Sequence, residues 1–276
     1  MKFRHLQTLS GRGEAPDQFQ VRITALAVAA DDRLFALGDR CVKSFSSAGE
    51  LVGQFDTSDA GWSIAADGKT LWIGMQGRVV QVDFTGNVIA AIDDPGRLGR
   101  VTGVAVAGDS LLVADATHKS LSLYRDGKYA REVGAKANTR GFMIPNGVLS
   151  AAYDRQSETF VVAHPQKHRI ERYDRGGELV DKFGRFGHDD PAAFGGCCNP
   201  TTAGVTPAGI ILATEKAPPH VKAFTADGKF LAMTPEDAFD PSAKNQAVAA
   251  DKSGRVYATD SVRGTIEVFQ LTDASQ

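Results

Sequence analysis

TGVAVAGDSLLVADATHKSLSLYRDGKYA, residues 102–130, is the stretch of sequence that decides the fold. Three apolar runs, at 104–107, 111–114 and 121–124, are separated by short polar segments rich in turn residues. Runs of this length, divided by Gly-Asp and His-Lys pairs, have the spacing of strand, turn and strand, and no 3.6-residue period connects them. The stretch therefore predicts a β-meander and not a helix.

The same pattern is repeated along the chain. Five further copies occupy residues 24–52, 62–89, 149–180, 203–231 and 246–273. Aligned positions in the six copies are Ala25, Ser63, Gly103, Leu149, Ala203 and Ala247, so the copies start 38 to 54 residues apart. Periods near 40–45 residues with several strands in each unit are typical of a β-propeller.

The last copy lacks a clear fourth strand. Residues 3–9, FRHLQTL, can supply that strand from the other end of the chain. Pairing the two ends would close the ring and remove two exposed sheet edges at once. The sequence therefore predicts an all-β, six-bladed β-propeller, closed by the N-terminal strand and forming a single domain over residues 1–276.

Composition excludes several function classes. The formal net charge is −2 and the basic residues are dispersed, which argues against a nucleic-acid partner. Residues 191–214 are uncharged and long enough to span a bilayer, but their glycines and prolines predict loop and strand, so we expect no membrane span. The first ten residues lack the apolar segment of a signal peptide, which predicts a cytoplasmic protein or an exported one that has been trimmed.

The longest insertion, FGRFGHDDPAAFGGCCNP at 183–200, contains the adjacent residues Cys197 and Cys198. Three interpretations of this pair remain open. The two thiolates could bind a soft transition metal such as Cu or Zn, they could form a vicinal disulfide with a redox role, or they could be small buried residues of a tight loop. The third cysteine, Cys41, aligns with the start of third strands, where we expect a packed free thiol.

The repeats resemble those of NHL-type propellers over nearly the whole chain. Within that class, the segments at 141–145, 168–179, 194–200 and 215–230 are similar to a group of bacterial propellers with a Phe-Cys-Gly-Cys-Cys-Asn-Pro signature in the same inter-blade loop. This chain has Gly195 where the signature has its first cysteine. The resemblance implies a shared fold and a shared loop, but it implies no assigned activity and no three-thiolate or iron–sulfur site here.

Histidines on the same rim are candidates to complete a metal site. Six residues before the aligned third strands lies a column of polar residues, Asp115, His164, Glu215 and Asp260. Acids at such positions usually cap their own turn. Imidazole is a poor turn cap, so His164 is the unusual member. We predict that His164, His168 and His220 lie near Cys197 and Cys198 as possible metal ligands.

The loops that lead into the innermost strands are predicted to line the mouth of the central channel. They contain Arg22, Trp62, Thr102, Asn146, Thr201 and Asn245. A polar set around one tryptophan could bind a small ligand or hold ordered water. For a ligand or cofactor, the predicted contacts are Trp62, Asn146 and Asn199.

These observations favour a binding protein with a vicinal-cysteine site on the propeller rim, for a soft metal or a redox-linked ligand. The predicted partner is a small ligand or a protein on the rim face. The first alternative is a non-catalytic protein-interaction scaffold. The second is a metal-dependent hydrolase or lyase at the channel mouth, which would require three or more convergent ligands.

Overall fold

The computed structural model describes residues 1–273 as six four-stranded antiparallel sheets, which are the blades of a ring. In chain order the strands are β1 (Lys2–Ser10), β2 (Ile23–Val28), β3 (Leu34–Gly38), β4 (Cys41–Phe45), β5 (Leu51–Asp56), β6 (Ser63–Asp67), β7 (Thr70–Gly74), β8 (Arg78–Asp83), β9 (Val88–Asp93), β10 (Val101–Ala107), β11 (Ser110–Asp115), β12 (Ser120–Arg125), β13 (Lys128–Val133), β14 (Ala151–Asp154), β15 (Thr159–His164), β16 (Arg169–Tyr173), β17 (Leu179–Phe183), β18 (Thr202–Val205), β19 (Ile211–Glu215), β20 (His220–Phe224), β21 (Phe230–Met233), β22 (Val248–Ala250), β23 (Arg255–Asp260) and β24 (Thr265–Thr272). One short 3₁₀ helix, Pro165–Lys167, follows β15. The prediction of an all-β, six-bladed propeller is confirmed.

Each blade repeats one arrangement, in which the first strand is innermost and the fourth is outermost. The inner strands β2, β6, β10, β14, β18 and β22 contact one another around the ring, and β22 contacts β2. Because all six run in the same direction, every inner strand begins at one face, which we call the upper face. The inter-blade loops and the loops between second and third strands open at this face.

Burial follows the position of a strand in its blade. The second strands are packed between neighbouring blades on both sides, and β3, β11, β15 and β19 are buried along their whole length. The outer strands face solvent. Strand β9 is exposed at most positions, including Val88 and Ile89. Apolar clusters between adjacent blades are therefore the core, and no cluster belongs to one blade alone.

Strand β1 closes the ring. It pairs antiparallel with β24, from Lys2 opposite Thr272 to Ser10 opposite Thr265, and it is the outermost strand of the blade β22–β24. Phe3 and Leu9 turn inward and are buried, while Leu6 is exposed. The predicted source of the missing strand is therefore confirmed.

No helix in the part of the chain that the structure describes is long and apolar enough to cross a bilayer. The uncharged stretch at 191–214 contains loop, strand β18 and all of strand β19 except its last residue.

Deleting residues 1–9 should lower the thermal stability sharply, because it exposes the edge of β24 and removes the buried Phe3 and Leu9 side chains. Each buried side chain of this size contributes about 2 kcal/mol, so we expect a fall in melting temperature of roughly 10 °C or more. Differential scanning calorimetry measures it. In the matched pair, Leu9→Ala should destabilise and Leu6→Ala should not. A truncated chain that melts like the full-length protein would contradict the closure.

Candidate functional site

Side-chain acceptors at the ends of the second strands hold the upper-face loops in place. In five blades, a side chain there accepts a hydrogen bond from a backbone N–H of the preceding inter-blade loop. We call these five the latch residues. They are Asp39 (from Val21, 3.0 Å), Asp115 (from Gly99, 2.7 Å), His164 (from Met143, 3.3 Å), Glu215 (from Gly195, 2.9 Å) and Asp260 (from Asp240, 2.6 Å).

His164 therefore accepts a loop N–H as the aligned acids Asp115, Glu215 and Asp260 do. The expectation that imidazole is unsuited to this role is wrong. The ring is fully buried, Nε2 accepts the Met143 N–H, and Nδ1 lies 3.1 Å from Glu171 Oε1. A ring that accepts at Nε2 carries its proton on Nδ1, which then donates to Glu171. Both ring nitrogens are engaged within the protein.

Glu171 collects donors from four side chains. Besides His164, these are Asn138 (2.9 Å), the hydroxyl of Tyr173 and the guanidinium of Arg169 (Nε at 2.8 Å). Burial raises the pKa of Glu171, but the hydrogen bonds outweigh it and lower that pKa to about 2. The carboxylate is thus ionised, fully buried and satisfied, and it fixes the ring of His164.

The thiol loop, residues 194–200, is anchored at both ends. Gly195 N–H donates to the latch residue Glu215. Asn199 is buried, and both atoms of its side-chain amide form hydrogen bonds. Nδ2 donates to the carbonyls of Gly195 (2.7 Å) and Lys216 (2.9 Å), and Oδ1 accepts the Lys216 N–H (2.9 Å), so Asn199 ties the loop to the segment after β19. Gly196 has φ +66°, a conformation that side chains rarely adopt. The loop is therefore held rigidly over the blade that begins with β18.

Cys197 and Cys198 present two free thiols with different surroundings. Their Sγ atoms are 2.9 Å apart, Cys197 is exposed, and Cys198 is buried. A hydrogen bond from Cys198 and the charge of Lys216 lower the pKa of Cys197. Burial and the neighbouring sulfur raise the pKa of Cys198. Cys197 is thus the thiol that ionises first, and it is also the one that solvent reaches.

Cys41 lies apart from this pair. It is a buried free thiol at the start of β4, and burial raises its pKa. This position agrees with the packing role expected from the sequence.

His168 and His220 both lie near the thiol loop. Burial lowers the pKa of His168, and a hydrogen bond with the Asn199 backbone opposes that shift. His220 is almost fully buried and lines a second cavity of about 290 Å³ together with His188, Asn199 and Glu215. Burial and the charge of Lys222 lower the pKa of His220. In residues 1–273 the Nδ1 atoms of His168 and His220 have no hydrogen-bond partner.

The predicted metal ligands all lie at the upper face, but they do not form one cluster. Within residues 1–273, no three side chains of His, Cys, Asp or Glu are grouped as a metal site. His164 is committed to Glu171 and Met143, which leaves Cys197 and Cys198 as the pair that could hold an ion together.

The central channel is a cavity of about 1000 Å³. Of the six residues predicted at its mouth, Arg22, Trp62, Thr102, Asn146 and Asn245 line it. Thr201 does not; it is buried and hydrogen-bonds to Thr214. Asn199, predicted to touch a ligand, hydrogen-bonds within and next to the thiol loop and lines the second cavity.

The sequence pattern did not single out Lys216 and Arg100. Lys216 connects the channel mouth to the thiol loop, and Arg100 is part of the mouth itself. Lys216 Nζ donates to Asn146 Oδ1 (2.6 Å), and Asn146 Nδ2 donates to the Cys198 carbonyl (3.2 Å). Arg100 lies over the Trp62 ring at 5.2 Å. Arg100 directly precedes β10, as Trp62 precedes β6, so its place before an inner strand was the signal that could have identified it.

Replacing Glu171 by glutamine should destabilise the protein and remove part of its acid sensitivity. At neutral pH we expect a loss of roughly 3 kcal/mol, because the Arg169 charge loses its partner. Since the folded-state pKa of Glu171 lies below the value near 4.5 of the unfolded chain, its stabilisation is complete above that value and is lost as the pH falls towards 2. Urea unfolding at neutral and acid pH measures both effects. The exposed Glu178→Gln variant is the control, and equal losses in the two variants would contradict the assignment.

Comparisons with known proteins support the fold and go no further. No known protein-family model and no curated protein matches the chain, so the NHL resemblance is not confirmed. Among solved structures, the chain is similar to the WD40 β-propeller domain of Doa1, with a TM-score of 0.60 and 14% sequence identity over 90% of this chain and 80% of that one. At that identity the likeness establishes a β-propeller and leaves the function to the chain's own residues.

Proposed function

We propose that this β-propeller is a binding protein whose ligand site is the Cys197–Cys198 pair, and that both sulfurs bind one soft metal ion. The observation that carries the proposal is the 2.9 Å separation of the two Sγ atoms at the end of an anchored loop, with one of them exposed. Thiolates are the ligands that soft ions prefer. The contacts of Glu215 and Asn199 hold the loop that carries both sulfurs, so binding needs only the two thiolate side chains to turn apart until each lies about 2.3 Å from the ion.

The donor set favours Cu(I) over Zn²⁺. Structural zinc sites take four ligands in a tetrahedral arrangement, whereas a soft monovalent ion is satisfied by fewer thiolates. Cys197 and Cys198 supply two, and this chain has Gly195 where the signature of the resembling bacterial propellers has a further cysteine. His168 and His220, with their unpartnered Nδ1 atoms beside the loop, are the nearby side chains that could add a ligand after a change of rotamer.

Titrating the reduced protein with Cu(I) under anaerobic conditions, against a competing chelator, should give one tightly bound ion per chain. The double variant Cys197→Ser, Cys198→Ser should bind at least about 100-fold more weakly, because both ligands are lost. Cys41→Ala is the matched control and should bind as the unmodified protein does, since Cys41 is buried in another blade. Tight binding that survives in the double variant would contradict the proposal.

The affinity for the ion should rise with pH. Both thiols must lose a proton on binding, and Cys198, whose pKa is raised by burial, is the last to do so. Below the pKa of a ligand, each displaced proton adds about a tenfold gain in affinity per pH unit. Competition titrations between roughly pH 6 and 9, corrected for the protonation of the chelator, measure the slope. An affinity that does not change over this range would contradict binding through Cys198.

The difference between the two thiols favours a second candidate, in which the pair exchanges electrons with a disulfide-containing ligand. The exposed Cys197, with its lowered pKa, is placed to attack a disulfide, and Cys198 is placed to resolve the mixed disulfide. In that step the two thiols give up two protons and two electrons to the ligand, which leaves as two thiols. Treatment with oxidised glutathione would then leave one free thiol, Cys41, and release two equivalents of glutathione.

A protein partner on the same face is compatible with either candidate. Three exposed apolar side chains, Val21, Phe186 and Val262, lie in loops of the upper face. Phe186 stands between the rings of His168 (4.9 Å) and His188 (5.1 Å). Docking there would need neither thiol, so a partner should bind the double serine variant as well as the unmodified protein.

A further inference from the structure

Charged side chains line the central channel at both ends; within residues 1–273 they form ion pairs at the lower end and none at the upper mouth. The lining carboxylates, Asp32, Asp67 and Asp251, lie at or just after the ends of inner strands and therefore at the lower face. Each has a cation within 4 Å: Lys252 for Asp32, Arg155 for Asp67 and Arg255 for Asp251. The upper mouth is lined by Arg22, Arg100 and Lys244, and no carboxylate of residues 1–273 lines it.

Two of these cations share one aromatic ring. The guanidinium carbons of Arg22 and Arg100 lie 4.7 and 5.2 Å from the centroid of the Trp62 indole. Stacking on a ring face leaves the N–H edges of a guanidinium available for other acceptors. Arg100 Nη2 donates to the Gly147 carbonyl (2.7 Å), while its Nε is buried without a partner. In residues 1–273 no carboxylate lies within 4.0 Å of either guanidinium.

The neighbouring amides extend this donor-rich mouth. Lys216 is bound to Asn146 Oδ1, which brings a further positive charge to the edge of the channel. Asn245 Nδ2 donates to the Asn146 carbonyl (3.3 Å), and its Oδ1 is buried with no donor in the described chain. The mouth thus offers several cationic donors and one acceptor that could receive a ligand hydroxyl. Below it, the channel wall is built from small inner-strand residues such as Ala25, Ala65 and Ala105.

We propose that the upper mouth of the channel binds a small organic oxyanion, a carboxylate or a phosphate ester, whose charged group is held by Arg22 and Arg100 beside Trp62. A bound anion supplies the counter-ion that both guanidinium groups lack within residues 1–273. The cavity volume of about 1000 Å³ is at the upper end of the usual range for small-molecule sites, so the organic portion has room in the channel. This site is separate from the thiol pair, and the proposal does not rest on metal binding.

Fluorescence of Trp62 can test the proposal with two probes, sodium phosphate and sodium succinate, each added at constant ionic strength against sodium chloride. The chain has two tryptophans, so the Trp72→Phe variant isolates the signal of Trp62. We expect a saturable change with at least one probe, at concentrations up to about 10 mM. A response to phosphate alone or succinate alone assigns the class of anion. Isothermal titration calorimetry provides a second measure if the emission is insensitive.

Arg22→Gln, in the same background, should weaken the binding about tenfold, the usual effect of losing one charge-assisted hydrogen bond. Arg22 is exposed and no side-chain hydrogen bond to it is found in residues 1–273, so the variant should fold normally. Arg140→Gln is the matched control, since Arg140 is an exposed arginine of an upper-face loop that does not line the channel.

The variant Cys197→Ser, Cys198→Ser should keep the response, which separates this site from the thiol site. Absence of saturation by both methods with both probes, or equal weakening in the Arg22 and Arg140 variants, would overturn the proposal.

Discussion

The upper face depends on one kind of hydrogen bond, from the backbone of an inter-blade loop to a side-chain acceptor at the end of the next second strand. A propeller leaves its loops without sheet partners, so their amides need side-chain acceptors. The latch residues supply them in five blades, with three aspartates, one glutamate and one histidine. The thiol loop is therefore not a free insertion: Glu215 holds it by the same contact that holds the other loops.

The repeat was strong enough to predict the blade number, the direction of the inner strands and the closing strand, because period and turn chemistry are local properties of the sequence. The sequence predicted only some of the latch residues. Asp39 was missed because its blade has a tight turn with positive φ at Asp39 and Arg40, which shifts the acceptor closer to the third strand than in other blades. His164 was misjudged for a different reason: the Glu171 cluster that fixes its tautomer depends on Asn138, far away in sequence.

The two proposed sites are neighbours, and a short polar chain joins them. Asn146 Oδ1 accepts a hydrogen bond from Lys216 Nζ, and Asn146 Nδ2 donates to the Cys198 carbonyl. The charge of Lys216 also lowers the pKa of Cys197. An anion at the channel mouth that attracts Lys216 would draw a positive charge away from the thiols. The sequence could predict residues at each site from their loops, but it could not predict this connection, because Lys216 belongs to the loop between a second and a third strand.

Strand β9 has a consequence for behaviour at high concentration. Most outer strands carry charged side chains along their free edge, as β13 does with Lys128, Arg131 and Glu132. In β9 the residues 88–91 are Val, Ile, Ala and Ala, all exposed and uncharged, and one backbone edge is open to solvent. Edges of this composition pair readily with other strands. Of the six blades, the one that ends in β9 is thus the place where intermolecular sheet extension, and with it aggregation, would begin.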